Sequence, residues 1–285
     1  MTDSGRLLVC ATPIGNLGDV TLRVLDALRE ADVIAAEDTR VTSRLLGRYD
    51  IATPVVRYDA HTAASRAGQL VARMLGGEVV ALVSDAGTPG LSDPGEELVA
   101  AAIEAGVEVD VLPGASSVLT ALVISGAPTM PFYFGGFLPR KSGERRRLLE
   151  SLGELAATLV FFESPRRTAA SLADVSAVMP TRFVAVTREL TKIHQEVIRG
   201  VSGEVAEVLS ARDLKGEVAI VIGPPDRNAP RTVDEVAVRE ALDALVSAGA
   251  TRSDAIRLVA RETGLPRNEV YRIAHGGADR GVTPP

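Results

Sequence analysis

The sequence is short of the residues that form disulfides, metal sites and aromatic platforms. Its 285 residues contain one cysteine, three histidines, no tryptophan and 4% aromatic residues. A single cysteine, Cys10, cannot build a disulfide framework, and three scattered histidines with no Cys/His cluster predict no metal site. No apolar run is long enough to cross a bilayer. We therefore expect no membrane association and a cytoplasmic protein.

Several ligand-binding and catalytic motifs are also missing. The loop after the first apolar run has neither G-x-G-x-x-G nor G-x-x-x-x-G-K-[ST], so neither dinucleotide nor triphosphate binding is indicated. The chain has no G-x-S-x-G, which disfavours a serine hydrolase. The net charge of -6 argues against a surface that binds nucleic acid all over, although it allows a local basic patch.

Apolar runs alternate with helical patterns over most of the chain. Strands are predicted at 7–11, 32–36, 54–56, 79–83 and 107–111, and later at 158–162, 182–186 and 218–222. Helices are predicted at 21–30, 64–75, 94–105 and 112–124, and later near 144–155, 167–178 and 205–209. This alternation predicts a parallel α/β domain over 1–125 and a second α/β domain over 126–224.

The end of the chain has a different pattern. Three short helices, at 233–247, 253–262 and 267–274, predict a helix-turn-helix appendage over 231–276. From Arg231 to the end, eight arginines are balanced by eight acidic residues. A small solvated bundle is therefore as consistent with this segment as a phosphate-binding one.

Four loops follow predicted strands of the first domain: 12–19, 37–40, 84–95 and 113–117. The carboxyl ends of parallel strands meet at one edge of a sheet, where ligands bind. The loop 84–95 is rich in glycine, which lets backbone amides approach a small molecule closely. Its Asp85 can accept a hydrogen bond from a ribose hydroxyl or hold an ammonium group.

These loops belong to a set of motifs that occur in a fixed order. The set is TPIGNLGD at 12–19, AEDTR at 36–40, SDAGTP at 84–89, LPG at 112–114, FESP at 162–165, RELTK at 188–192 and KGE at 215–217. In this order they resemble the ribosomal RNA small subunit methyltransferase I family, within the tetrapyrrole methylase superfamily. The resemblance covers about residues 7–223, and the helix-turn-helix tail is also similar to that family's appendage.

The resemblance implies two α/β domains that hold S-adenosylmethionine in the cleft between them, in a homodimer. It implies 2′-O-methylation of a cytidine in the decoding region, so the partner would be small-subunit ribosomal RNA or an assembling small subunit. By position, the implied cofactor contacts are Ile14, Asp85, Thr88, Ser116, Ser117, Phe162 and Val218. The segment that includes Asp38 and Arg40 would face the substrate.

Methyl transfer to a ribose hydroxyl needs alignment, and a base or a cation that lowers the hydroxyl pKa would help. Our candidates for this role are Glu163 and Lys192, ahead of Asp38. RNA binding needs exposed cations, and the segment 139–147 (PRKSGERRR) has a local charge of +4. Its predicted phosphate contacts are Arg140, Lys141, Arg145, Arg146 and Arg147.

Two other functions remain open from the sequence. The same fold serves methylases of tetrapyrroles and other small molecules, and fold alone does not fix the substrate. The helix-turn-helix could instead belong to a DNA-binding regulator that senses a ligand. The segment 267–274 holds only Arg267 and Arg272 against Glu269, which is a weak charge for a recognition helix.

Overall fold

The computed structural model describes residues 5–225, 235–263 and 265–275. The strands are β1 Arg6–Cys10, β2 Val33–Ala36, β3 Val55–Arg57, β4 Val79–Val83, β5 Glu108–Leu112, β6 Phe132–Phe137, β7 Thr158–Glu163, β8 Phe183–Arg188, β9 Glu196–Val201 and β10 Val218–Ile222. The helices are α1 Leu22–Glu30, α2 Thr39–Arg48, α3 Ala63–Leu75, α4 Glu96–Glu104, α5 Ser117–Ser125, α6 Ser142–Ser151, α7 Pro165–Val178, α8 Ser202–Ser210, α9 Glu235–Ser247, α10 Arg252–Thr263 and α11 Arg267–Ala274.

The first sheet is entirely parallel, in the order β3-β2-β4-β1-β5. Successive side chains of a strand point to opposite faces, and both faces of this sheet are covered. On β1, Leu7 and Val9 pack with buried residues of α3 and α4, whereas Leu8 and Cys10 pack with those of α1 and α2. A sheet buried on both sides explains why its strands read as continuous apolar runs.

The second sheet is mixed, in the order β6-β7-β10-β8-β9. Only β6 and β7 are parallel, while β10 runs antiparallel to both β7 and β8. The register pairs Val218 with Glu163 on one side and with Arg188 on the other. The ends of β7 and β8 therefore lie beside the start of β10, at a single edge of the sheet.

The two sheets belong to one compact unit, which ends at Asp226. Helices α6, α7 and α8 supply Leu149, Leu172 and Val205 to a core on one face of the second sheet. On the other face, Val118 of α5 packs with Ile14 from the loop after β1. The first sheet's loops thus touch the second sheet's core directly. The separation into two α/β domains at 125/126 remains a prediction.

The second compact unit begins at Arg227 and contains α9, α10 and α11. Its core includes Leu242, Val259 and Val270, one from each helix. The C-terminal carbonyls of α11 accept hydrogen bonds from Arg239 and Arg252. The predicted limits of this appendage, 231 and 276, lie outside the described residues.

Three elements were missed by the sequence analysis. Residues 37–40 were interpreted as a ligand loop, but Asp38 is the N-cap of α2, and Thr39 and Arg40 form its first turn. The segment 132–137, for which no element was predicted, is an edge strand, β6, whose ladder is irregular between Phe134 and Phe137. The other missed edge strand is β9.

Candidate active site

A cavity of about 360 Å³ lies between the carboxyl edge of the first sheet and the edge of the second sheet where β10 begins. Its lining residues are Ile14, Glu37, Asp85, Ala86, Ser92, Asp93, Ser117, Phe137, Phe162, Glu163, Ser164, Pro165, Thr187, Leu190, Gly216, Glu217, Val218 and Ala219. A cavity of this size can enclose a nucleoside-sized ligand. Of the seven implied cofactor contacts, it collects Ile14, Asp85, Ser117, Phe162 and Val218.

Backbone hydrogen bonds hold the first-sheet loops together on one side of the cavity. Thr12 and Gly87 exchange two of them, with N···O distances of 2.8 and 3.0 Å. The N–H of Asp38 donates to Oδ1 of Asp85 at 2.9 Å. The loops after β1, β2 and β4 are therefore neighbours, as expected for the carboxyl ends of parallel strands.

The start of α5 forms a second side. Ser116 is the N-cap, and its hydroxyl accepts a hydrogen bond from the N–H of Leu119 at 3.3 Å. Ser117, the first residue of the helix, lines the cavity. The positive end of a helix dipole favours an anionic group such as a carboxylate here. Ser116 and Thr88 lie beside the lining rather than in it.

An aromatic cluster forms the apolar wall contributed by the second sheet. The ring of Phe162 is met edge-on by Phe134 and Phe137, with centroid distances of 5.0 and 5.6 Å. Edge-to-face packing of this kind fixes the orientation of a ring. Phe162 and Phe137 both line the cavity, together with the aliphatic Val218. Phe137 was not predicted as a site residue because β6 itself was missed.

The segment 188–192 packs closely against the loop after β1. The Thr191 hydroxyl accepts a hydrogen bond from the N–H of Asn16 at 3.1 Å. A Cβ atom on Gly15 would lie 2.5 Å from Cγ of Lys192, so only glycine fits there. Glu189 and Thr191 have φ values of +52° and +64°, a conformation that non-glycine residues rarely adopt and that often marks functional sites.

These contacts hold Lys192 beside the cavity. Its Nζ lies 2.9 Å from Oε1 of Glu189 and 3.1 Å from Oε2 of Glu217, which is a lining residue. Burial by itself would lower the pKa of Lys192, but the hydrogen bonds to these two carboxylates outweigh burial and leave the pKa raised. Lys192 is therefore a fixed cation at neutral pH and not a base.

Glu163 lines the cavity and is held by several donors. Its side chain is fully buried and ion-paired with Arg167 at 2.5 Å. It also accepts hydrogen bonds from the backbone N–H of Ser164 and the hydroxyl of Ser171. Both carboxylate oxygens thus bind donors that fix the loop after β7, and the role of Glu163 as a base stays a prediction.

Three carboxylates from the loops of the first sheet, Glu37, Asp85 and Asp93, line the cavity. Burial, and then the charge of Asp85, raise the pKa of Glu37. Burial also raises the pKa of Asp85. Burial, followed by the charges of Glu37 and Asp85, raises the pKa of Asp93 to about 7. Asp93 lies in the loop 84–95, which was predicted to bind a ligand, but it is not among the predicted site residues because nothing in the local sequence distinguishes it from other turn aspartates.

Asp38 and Arg40, the predicted substrate contacts, lie at the start of α2. They form an ion pair with an N···O distance of 2.7 Å. Hydrogen bonds from Arg40 hold the pKa of Asp38 well below its usual range, so Asp38 stays ionised. The Arg40 side chain is 87% exposed and is available to a large substrate. Both residues lie beside the cavity rather than in its lining.

The basic segment 139–147 is not the exposed loop that was expected, since α6 begins at Ser142. The prediction that Arg145 contacts phosphate is wrong. Its side chain is 4% exposed, and its NH2 lies 2.5 Å from Oδ2 of the equally buried Asp174. Arg146 also bonds to Asp174 but is half exposed, whereas Arg140, Lys141 and Arg147 are exposed.

No group of three or more His, Cys, Asp or Glu side chains in the described ranges of the chain could hold a metal ion. No helix within the same ranges is long and apolar enough to cross a membrane.

Comparisons with known proteins agree with this geometry. The family model of Tetrapyrrole (Corrin/Porphyrin) Methylases matches residues 6–206. The ribosomal RNA small subunit methyltransferase I of Halalkalibacterium halodurans is 41% identical over 276 residues, which cover 96% of each chain. That of Micromonospora olivasterospora is 46% identical over 280 residues, 97% of this chain and 88% of the relative.

The chain belongs to the ribosomal RNA small subunit methyltransferase I family, within the tetrapyrrole methylases. A solved structure with the same fold is the uroporphyrin-III C-methyltransferase of Thermus thermophilus complexed with S-adenosylhomocysteine. The two align with a TM-score of 0.56 at 19% identity, over 77% of this chain and 97% of the other. The predicted fold class and enzyme class are thereby confirmed, whereas the individual site residues stay predictions.

Proposed function

We propose that this enzyme transfers the methyl group of S-adenosylmethionine to the 2′-hydroxyl of a cytidine in the decoding region of small-subunit ribosomal RNA. The observation that carries the proposal is the cavity between the two sheets, whose lining includes residues of the motifs at 12–19, 84–89, 162–165 and 215–217. The chain that forms this cavity is 41% and 46% identical to two ribosomal RNA small subunit methyltransferases I. The acidic and apolar sides of this cavity suit the two chemical parts of the methyl donor.

The residues that line the cavity fit S-adenosylmethionine in three respects. Phe162, Ile14 and Val218 offer an apolar surface for a nucleobase. Asp85 and its carboxylate neighbours suit ribose hydroxyls, an ammonium group and a sulfonium cation. The start of α5 at Ser117 suits a carboxylate. The donor supplies an activated methyl group, so the protein's task is to align the hydroxyl with it and to exclude water.

The substrate has to be held from outside the cavity. An acid-lined pocket repels phosphates, so the ribose must enter while its flanking phosphates stay at exposed cations. Arg40 beside the cavity and the basic residues at the start of α6 are candidates for these contacts. Phosphate contacts of this kind position an RNA and do not read its sequence, which suits a structured substrate such as ribosomal RNA.

We also propose that the enzyme works as a homodimer. Val118 and Leu122 of α5 are packed in the core, whereas Leu119 and Val123, on the adjoining side of the helix, are 52% and 69% exposed. The same stretch of chain continues to Met130, which is 79% exposed. An apolar stripe of this kind on a helix that also lines the cavity is a suitable interface for a second copy.

The decisive experiment is methyl transfer from labelled S-adenosylmethionine to small ribosomal subunits isolated from cells that lack this protein. The nucleosides are then identified by mass spectrometry, and we expect 2′-O-methylcytidine. Free small-subunit RNA and a uroporphyrin-type tetrapyrrole are assayed in parallel, with heat-inactivated enzyme as the control. A methylated base, or transfer only to the tetrapyrrole, would contradict the proposal.

A further inference from the structure

Ribose methylation releases a proton, and the cavity must contain or admit a group that takes it. The inference below therefore rests on the proposed function. Among the described residues, the ionisable groups that line the cavity are all carboxylic acids: Glu37, Asp85, Asp93, Glu163 and Glu217. Their hydrogen-bond partners distinguish them.

Four of these carboxylates are already engaged by strong or backbone donors. Glu163 is ion-paired and saturated, as described above, and Glu217 is ion-paired with Lys192. Oδ1 of Asp85 accepts the backbone N–H of Asp38, and Glu37 accepts the N–H of Asp85 at the longer distance of 3.5 Å. Each of them helps to hold a loop in place.

Asp93 differs in its surroundings. It lines the cavity, and none of the ion pairs found among the described residues includes it. The charged groups that face it are carboxylates from both halves of the unit: Glu37 and Asp85 from the first, and Glu217 from the second. A carboxylate that faces other carboxylates gains stability when it takes up a proton.

The loop that carries Asp93 is held firmly at the boundary between the two sheets. The N–H of Gly90 donates to the carbonyl of Pro94 at 3.3 Å, and a Cβ on Gly95 would lie 3.0 Å from the nitrogen of Gly90. The hydroxyl of Ser92 lies 3.5 Å from the Cβ position of Gly136, which belongs to β6. Asp93 is thus placed between the acidic first-sheet loops and the aromatic wall.

We propose that Asp93 is the proton acceptor of the methyl transfer. The O2′–H bond breaks and its proton passes to a carboxylate oxygen of Asp93. A lone pair of O2′ forms the new O–CH3 bond, and the electron pair of the S–CH3 bond stays on sulfur as the sulfonium becomes a neutral thioether. Lys192, which is ion-paired with Glu189 and Glu217, remains protonated throughout.

The role of Asp93 predicts a pH profile. A proton acceptor has to be ionised, so kcat rises with pH as Asp93 loses its proton and reaches a plateau above that step. Since the pKa of Asp93 is raised to about 7, the midpoint should lie near neutrality. A base with such a pKa is well matched to work at neutral pH.

The first test compares Asp93→Asn with the wild-type enzyme on small ribosomal subunits. We expect kcat to fall by about 10²–10⁴-fold and the rise near pH 7 to disappear, while the affinity for S-adenosylmethionine, measured by calorimetry, changes less than about threefold. Asp26→Asn is the matched control, since Asp26 lies on the exposed surface of α1 with 78% of its side chain accessible. It should leave kcat and the pH profile unchanged.

The second test does not depend on turnover. Carbon-13 NMR of aspartate carboxyls in the enzyme without ligands should show one resonance that titrates near pH 7 and is missing in Asp93→Asn. Glu37→Gln should move that titration, and the midpoint of kcat, to lower pH, because one of the charges that raise the pKa has been removed.

The outcomes separate the two proposals. If the wild-type enzyme forms 2′-O-methylcytidine but Asp93→Asn keeps its kcat and pH profile, the role of Asp93 is refuted and the proposed function stands. A wild-type Asp93 that titrates near pH 4 likewise refutes it. If the wild-type enzyme forms no ribose-methylated product, the proposed function fails, and the role of Asp93 fails with it.

Discussion

The burial of Arg145 can be tested through the free energy of unfolding. The sequence suggested that Arg145 belongs to the RNA-binding surface, but the structure places its side chain in the core, where its replacement should destabilise the protein. Its guanidinium donates to Asp174 through Nε at 2.8 Å and through NH2 at 2.5 Å. It also donates to the backbone carbonyls of Pro139 and Arg140, at 2.9 and 3.3 Å. Arg145 therefore ties the segment before α6 to the middle of α7.

Replacement of Arg145 by methionine keeps most of the side-chain volume but removes every one of these donors. Burial would raise the pKa of Asp174, but hydrogen bonds from Arg146, Ser142 and Arg145 hold it below its usual range. The variant thus leaves a buried carboxylate with fewer donors. Removal of one partner of a buried pair costs about 3–5 kcal/mol.

The measurement is urea and thermal unfolding followed by far-UV circular dichroism, since the chain has no tryptophan. A loss of this size lowers Tm by about 6–20 °C. Arg147→Met is the matched control, because Arg147 is exposed, and it should change the free energy of unfolding by less than about 0.5 kcal/mol. Asp174→Asn should recover part of the loss when it is combined with Arg145→Met. If Arg145→Met costs less than about 1 kcal/mol, the guanidinium is not part of the core and the reasoning is refuted.

Three further predictions concern the RNA surface, the site and the interface. Reversal of charge at the exposed Lys141 and Arg147 should raise KM for small ribosomal subunits at least tenfold and leave calorimetric S-adenosylmethionine affinity unchanged; equal KM would exclude this surface. Gly15→Ala forces a Cβ to within 2.9 Å of a backbone carbonyl and 2.5 Å of a side chain, so kcat should fall at least tenfold, whereas Gly47→Ala, which meets open space, should retain it. Leu119→Asp should convert a dimer to monomers in sedimentation velocity; an unchanged dimer would place the interface elsewhere.

The sequence predicted the three inner strands of the first sheet well because these strands are buried on both faces. The runs at β1, β2 and β4 are continuously apolar, and the structure buries every residue of β2. The two missed edge strands of the second sheet carry no such signal. β6 contains two glycines, and β9 mixes apolar residues with Glu196, Arg199 and a glycine, so each depends on pairing with a neighbour rather than on its own composition.

The missed helix has a different cause. The charged residues Glu37, Asp38 and Arg40 led to the prediction of a ligand-binding loop at 37–40. The helix α2, which begins at Thr39, was therefore not predicted. Asp38 serves both purposes, since its side chain caps α2 by accepting the N–H of Arg40 while its own N–H binds Asp85. A helix start at the carboxyl end of β2 brings the two functions onto the same residue.

The candidate site was only partly visible in the sequence because chemistry depends on neighbours that are remote along the chain. Parallel strands send their carboxyl ends to one edge, so Asp85 and Ser117 could be expected there. No comparable rule applies to the mixed second sheet, where the register of the antiparallel pair β7 and β10 brings Val218 to Glu163. The pKa of a carboxyl group also depends on neighbours that are remote along the chain. Asp93 is an ordinary turn aspartate in the sequence, and its pKa is raised first by burial and then by the charges of Glu37, Asp85 and Glu217, which come from three separate segments of the chain. The folded environment thus points to a candidate base where the residue type is uninformative, whereas the motifs that contain Glu163 and Lys192 do not show the ion pairs that both side chains form in the fold.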